Sequence, residues 1–275
     1  MKGLPLIEDI ADNWENVQRF QAREDDLLLV TYPKSGTTWI SEIVDRMCRD
    51  TSDRETKDIF QRVPYLEFAM PGNTSGTELL DKQDFPRIIK THLSAETLPL
   101  SFWEKNCKII YVSRNVKDVA VSFYHFHRMA THLPESGSWE EFLEKFIKGN
   151  VEYGSWSDHV RSWWKRRQQR NILYLSYEDM LEDLRREIQK VMMFLGKDLS
   201  DEVLDDIQRH TTFSVMRENP MTNYSNAHRM DQTISPFMRK GICGDWKNHF
   251  TLAQRERFDE HYHKEMAGMD LTFHF

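Results

Sequence analysis

Four short stretches of the chain are apolar at nearly every position rather than at alternate ones: LLLVTY (27–32), RIIKTH (87–92), KIIYVSR (108–114) and ILYLSY (172–177). A strand with one face in water alternates, whereas a strand covered on both faces does not. The four runs are therefore expected to be strands of a parallel sheet. Between and after them the pattern turns helical, in TTWISEIVDRMCRD, NVKDVAVSFYHFHRMA, SWEEFLEKFIKG, WSDHVRSWWKRRQQ and REIQKVMMFLG, the last closed by Gly196 as a C-cap. Strands alternating with helices imply β-α-β units and a doubly wound sheet. With no repeat and no Pro/Gly-rich linker, residues 1–275 are expected to form one α/β domain, a central parallel sheet flanked by helices. The stretch 219–241, NPMTNYSNAHRMDQTISPFMRKG, is polar, punctuated by prolines and without period, so it reads as a long functional loop.

The 275 residues contain no apolar run near the ~20 that a membrane helix requires. No basic-then-apolar leader is visible at the start. Three widely spaced cysteines, Cys48, Cys107 and Cys243, do not make a disulfide framework or a paired zinc motif and suit a reducing, cytoplasmic setting. A net charge of −7 argues against general nucleic-acid binding, so any polyanion must be met by a local convergence of basic residues.

Such a convergence is expected at the carboxyl ends of the strands, where ligands bind in open parallel sheets. The first run leads into PKSGTTW, the second into Lys90-Thr91-His92, the third into Ser113-Arg114 and the fourth into Tyr177-Glu178-Asp179. Three of the four ends carry a cation. In TYPKSGTTW (31–39), Gly36 permits close backbone approach to an anion, N–H groups from Ser35 to Thr38 open a helix, Thr37 and Thr38 add hydroxyls, and Lys34 supplies a point charge. The loop resembles a P-loop but departs from G-x-x-x-x-G-K-[ST], since it has one glycine and its lysine comes first. A second basic motif, Arg239-Lys240-Gly241 within RKGICGDWKNHF, suits a further phosphate group.

TYPKSGTTW after a strand, RIIKTHL, YVSRNVKDVAVSFYHF and RKGICGDWKNHFT, in that order over nearly the whole chain, resemble the cytosolic sulfotransferases; NPMTNY and ISPFMRKG resemble their phenol (aryl) branch. The resemblance implies transfer of a sulfuryl group from 3′-phosphoadenosine 5′-phosphosulfate (PAPS) to a hydroxyl or amine, with no metal. It implies that Lys34, Ser35, Gly36, Thr37 and Thr38 hold the 5′-phosphosulfate, and that Arg114, Ser122 and Arg239-Lys240-Gly241 hold the 3′-phosphate. Trp39, Tyr177, Thr211, Phe213, Met216, Phe237 and Met238 would complete the nucleotide site. His92 would be the base, with Lys34, Lys90 and Ser122 tuning charge at the transferring group.

The chemistry asks for such residues. An attacking hydroxyl loses its proton, which suits a histidine. Lys90 and His92, two apart on a strand, point to one side. Lys34 can stabilise charge on the leaving phosphate. His125 and His127 share the same spacing on a helix, where those positions do not face each other, and read as packing or pocket wall, as do His261 and His263. The resemblance places Tyr65 and Phe68 of VPYLEFAMPG, Lys90, His92, Phe126, Ala130 and Tyr224 around a small-molecule acceptor: phenols first, with steroids, thyronines and xenobiotics open. YHFHRMA carries no carboxylate to attract an amine, which disfavours catecholamines. Arg229-Met230 stand where an aromatic often sits. KNHFTLAQRE, Lys247 to Glu256, resembles the family's dimer motif with Leu252 in place of valine, implying a homodimer. Two other readings use the same loop: a metal-dependent phosphoryl transferase, for which Glu178 and Asp179 would bind magnesium rather than begin a helix as capping acids, and a non-catalytic nucleotide-binding protein.

Overall fold

The computed structural model describes residues 4–49, 53–69, 74–83, 86–169 and 171–275; residues 1–3 and the end of VPYLEFAMPG (70–72) lie outside them. The four apolar runs form one sheet: β1 (Leu27–Thr31), β2 (Ile88–Thr91), β3 (Lys108–Ser113) and β4 (Ile172–Ser176). All pairings are parallel and the order is β2-β1-β3-β4, with Leu28 opposite Ile89 on one side and Ile109 on the other. The chain leaves β1 in one direction and β3 in the other, so a crevice opens between their carboxyl ends.

The continuous apolar pattern has a direct cause. Leu28, Val30, Ile89 and Ile109 face one buried cluster, while Leu27, Leu29, Ile88 and Ile110 face another on the opposite side of the sheet. Each such residue contributes about 1.5–3 kcal/mol by leaving water. Helices Thr37–Cys48 and Leu184–Leu195 cover the second face; Val116–Met129, Trp139–Ile147 and Trp156–Trp164 cover the first. Gly196 closes Leu184–Leu195 at φ 71°, as its position suggested, but that helix starts two residues earlier than the sequence pattern, where Asp183 accepts the Arg186 N–H at 3.0 Å. No helix or strand forms within 219–241; an isolated bridge joins Met230 to Ala130.

Caps tie the strand ends to the site. Asn115 accepts the Asp118 N–H and starts the helix after β3. Asp118 in turn accepts the N–H groups of Gly244 (2.7 Å) and Trp246 (2.9 Å), fixing the segment after Gly241 beside β3. Ser176, rather than the following acids, caps the helix after β4. Glu178 instead accepts the Asn115 N–H and side-chain amide, both at 2.9 Å, and the Ser176 hydroxyl, which leaves it bracing two strand ends.

Candidate active site

The loop after β1 turns tightly, with the Ser35 N–H donating to the Tyr32 carbonyl at 3.1 Å. Ser35 N–H is thus engaged within the turn, and the open donors begin at Gly36 rather than at Ser35. Lys34 has φ 69° and Gly36 φ 102°, both left-handed, an uncommon state for a lysine. A Cβ on Gly36 would stand 2.9 Å from the Tyr177 ring. The helix Thr37–Cys48 has no side-chain cap, so its first N–H groups face the crevice without an upstream partner.

Around this helix end lies a cavity of about 670 Å³. Lys34 reaches in between two rings, with Nζ 4.2 Å from the centroid of Phe126 and 4.1 Å from that of Phe237. Burial, with Arg114 and Arg239 nearby, lowers its pKa to about 7. Arg114 donates to the carbonyls of Lys34 (3.1 Å) and Ile242 (3.2 Å) and stacks 4.2 Å over Tyr177. Arg114 Nε and Arg239 Nε are buried with no protein acceptor, as is the Ser35 hydroxyl. Asp245 lies 2.6 Å from Arg239 and 2.6 Å from Lys240. Burial pushes this carboxyl up, but bonds from Lys240, Asn248 and Arg239 outweigh it and hold it well below the usual range. Gly241, φ 66°, packs so closely that a Cβ would meet Phe213 at 2.2 Å. Trp39 donates to the Thr211 carbonyl at 2.7 Å and meets Tyr177 edge-on. Ser122, Phe213, Met216 and Met238 line the same cavity.

The second part of the cavity is built on the end of β2. His92 Nδ1 lies 2.7 Å from the Thr31 carbonyl, an acceptor only, so this nitrogen carries the proton and Nε2 the lone pair. The Tyr65 hydroxyl donates to Nε2 at 3.1 Å. Burial lowers the His92 pKa to about 3 despite the Thr31 bond, with His159, Lys90 and Lys34 adding to the effect. The His92 N–H donates to Glu67 Oε1 at 2.8 Å, and Tyr153 donates to the same oxygen at 3.2 Å. Lys90 is fully buried; its Nζ sits 4.5 Å over the Tyr65 ring and 3.4 Å from the Tyr224 hydroxyl. Burial, reinforced by Arg62, brings Lys90 to about 7.

Nearly every residue expected at the site lines this one cavity. Ser35, Lys90 and Ala130 do not. Ser35 is buried under its loop, Lys90 stands behind Tyr65 and Tyr224, and Ala130 spends its backbone on the bridge to Met230. Lys90 and His92 do converge as their spacing suggested, but on Tyr65. Sequence reasoning missed Glu67, Tyr153, Glu152, His132 and the amino-terminal Ile7 and Ile10. For Glu67 the signal was an acid inside the apolar stretch VPYLEF; the others carry no local signature. Among the described residues, no group of three or more His, Cys, Asp or Glu side chains is placed to hold a metal ion.

The family model for the sulfotransferase domain matches residues 24–270. The chain belongs to the sulfotransferase family. It is 53% identical over 277 residues to sulfotransferase 1 family member D1 of Rattus norvegicus, covering 99% of this chain and 94% of that protein. It is 54% identical to sulfotransferase 1B1 of Canis lupus familiaris, covering 98% and 93%. Among solved structures, mouse sulfotransferase SULT7A1 complexed with PAP matches with a TM-score of 0.83 and 35% identity over 98% of this chain and 94% of that one. Retinol dehydratase in complex with androsterone and the inactive cofactor PAP matches with a TM-score of 0.89 and 25% identity, over 99% and 89%. The sulfotransferase is therefore an enzyme of sulfuryl transfer with PAPS as donor, and neither the metal-dependent phosphoryl transferase nor the non-catalytic nucleotide binder finds support. No helix of the described residues is long and apolar enough to cross a membrane.

Proposed function

We propose that the enzyme sulfates the hydroxyl of small, flat phenols, with His92 as the base. The observation that carries this reading is the Tyr65 phenol donating to His92 Nε2 at 3.1 Å. A phenolic hydroxyl on that lone pair is the arrangement an acceptor needs before it loses its proton. The rings of Tyr65, Phe68, Phe126 and Tyr224 leave flat aromatic walls around it.

PAPS supplies an activated sulfuryl group on a phosphate leaving group. Gly36, Thr37 and Thr38 would hold its 5′ end through backbone N–H groups at the helix end. The unpartnered Arg114 and Arg239 Nε atoms suit anionic oxygens, and the tight packing at Gly36 and Gly241 lets the backbone approach them. Lys34 faces the region where negative charge grows on the leaving phosphate and would stabilise it there. The negative charge of the donor also opposes the depression of the His92 pKa, raising its basicity when the donor is in place.

Leu252 is 70% exposed at the start of helix Leu252–Glu265, and we take this surface as a homodimer contact through Lys247–Glu256. The three cysteines are free, in keeping with a cytoplasmic enzyme. A screen of PAPS-dependent sulfation over simple phenols, steroids and catecholamines tests the acceptor class. Small phenols are expected to be turned over with the highest kcat/KM. Turnover of steroids alone would defeat the reading.

A further inference from the structure

Thr31 is the last residue of β1, and its side chain is fully buried and does not line the cavity. A ligand in the cavity therefore does not touch it. Yet it stands between the two parts of the site. Its hydroxyl oxygen lies 2.6 Å from that of Thr37, where the helix Thr37–Cys48 begins, and 3.2 Å from His92 Nδ1. Strand β1, the helix that follows it and the residue after β2 each supply one member, so the parallel pairing of β1 with β2 is what brings the base and the anion loop to one hydroxyl.

The direction of these hydrogen bonds is forced. His92 Nδ1 carries a proton, because it faces the Thr31 carbonyl at 2.7 Å. That N–H is shared between the carbonyl and the hydroxyl of the same threonine, as a three-centre bond. The Thr31 hydroxyl therefore accepts from His92 and does not donate to it. Among the described residues its other hydrogen-bond partner is Thr37, so its single hydrogen goes to Thr37 Oγ1. Thr37 is left with its own hydrogen for the cavity that it lines, where Tyr65 is its neighbour. The donors thus run one way, from His92 Nδ1 through Thr31 to Thr37 and out to the helix N-terminus.

We propose that Thr31 is a positioning residue that ties the base His92 to the leaving phosphate through this row of hydrogen bonds. The inference rests on the phenol-sulfation reading, with His92 as base and Thr37 against the phosphosulfate, and deepens it. As the acceptor oxygen bonds to sulfur, its proton passes to His92 Nε2. The bond from sulfur to the phosphate oxygen breaks, and its electron pair stays on that oxygen. His92 becomes an imidazolium at one end of the row while negative charge grows at the other. A cationic ring donates more strongly through Nδ1, and a more anionic phosphate accepts more strongly from Thr37, so both changes polarise the row in the same sense. No proton has to travel along it. Because the row strengthens as the reaction proceeds, it acts on the rate of transfer rather than on the binding of either substrate.

The test compares Thr31→Val, which keeps the shape and the carbonyl that holds Nδ1 but loses the hydroxyl, with Thr31→Ser, which keeps the hydroxyl. With PAPS and para-ethylphenol, Thr31→Val is expected to lose about tenfold in the single-turnover rate, while KM for both substrates and the Kd of PAP stay within about twofold of wild type. Thr31→Ser should stay within about threefold in rate. On a His92→Ala background, Thr31→Val should cost nothing further, because the row has no imidazole to start from. An unchanged rate in Thr31→Val, a loss carried by KM, a serine variant as slow as the valine one, or an undiminished loss on the His92→Ala background overturns the proposal. If Thr31→Val does not fold, the wild-type chain decides by NMR. PAP should move the His92 Nδ1–H resonance downfield, whereas adenosine 3′-monophosphate, which lacks the 5′-phosphate, should leave it in place; equal shifts, or none, overturn the proposal. That measurement needs no acceptor, so a wild-type chain that sulfates no phenol defeats the phenol reading while the resonance still decides the role of Thr31.

Discussion

The phenol oxygen of Tyr65 lies 3.1 Å from Nε2 of His92, and Lys90 Nζ sits 4.5 Å over the same ring. The protein's own tyrosine thus occupies the lone pair that the proposed reaction assigns to the acceptor. Tyr65→Phe removes the competing hydroxyl, so KM for a small phenol is expected to fall about fivefold, set against the loss of a hydrogen bond of about 1 kcal/mol in stability. Initial-rate kinetics and thermal unfolding check the two effects together. An unchanged or raised KM would mean that Tyr65 does not stand in the acceptor's place. His92→Ala should cost about a thousandfold in kcat while PAP still raises the Tm; near-normal turnover would assign the proton to another base.

Arg239→Ala should weaken PAP by about tenfold or more, because it removes a charge-assisted contact. Adenosine 5′-phosphosulfate, which lacks the 3′-phosphate, should lose much less. Isothermal titration with both nucleotides separates the outcomes, and equal losses would refute the assignment of Arg239 to the 3′-phosphate.

Lys34 is held near pKa 7 by burial and by its cationic neighbours Arg114 and Arg239. At pH 8 in the nucleotide-free protein it is largely neutral. An anionic ligand raises its pKa, so the bound form takes up a proton. Titrations at pH 8 in buffers of different ionisation enthalpy should report uptake of about one proton per PAP. Affinity should accordingly fall as pH rises above 7. Zero uptake, or release, would show that the lysine is already charged before the ligand arrives.

Leu252 and Ile242 are exposed large apolar side chains near the carboxyl-terminal basic motif. Sedimentation of the wild-type chain is expected to give a dimer, and Leu252→Asp a monomer with intact PAP binding. A wild-type monomer at micromolar concentration would remove this contact from consideration.

The legible part of this protein is the part set by local pattern. The strands read directly because both faces are covered, fully in β1 and β2 and in part in the edge strand β4, so Leu27 to Val30 are apolar without alternation. The loop after β1 read directly as a tight turn into a helix because Lys34, Gly36 and Thr37 are neighbours in the chain. Glu152, His132 and Ile10 meet only after folding, and no spacing announces them. The short helices Asp53–Thr56, Ile59–Arg62 and Gly76–Asp81 were equally silent. They span one or two turns, too few for a periodic stripe to emerge, and capping boxes at Asp58 and Ser75 define the last two. Ser35 was misplaced as an open donor because a one-residue shift in a turn decides which N–H faces inward.

Asp245 holds Arg239 and Lys240 while also touching Asn248. The chain thereby supplies its own counter-ion to this basic motif. Two cations that would repel one another are kept gathered by it, and under the proposed assignment a 3′-phosphate meets a loop whose shape already exists. Under the proposed assignment a dianionic group would add to the free Arg239 Nε and compete with a resident carboxylate for the rest of the guanidinium. A singly charged or merely polar group at that position has little with which to do so. On that assignment Asp245 would serve as a discriminator between nucleotides with and without the second phosphate.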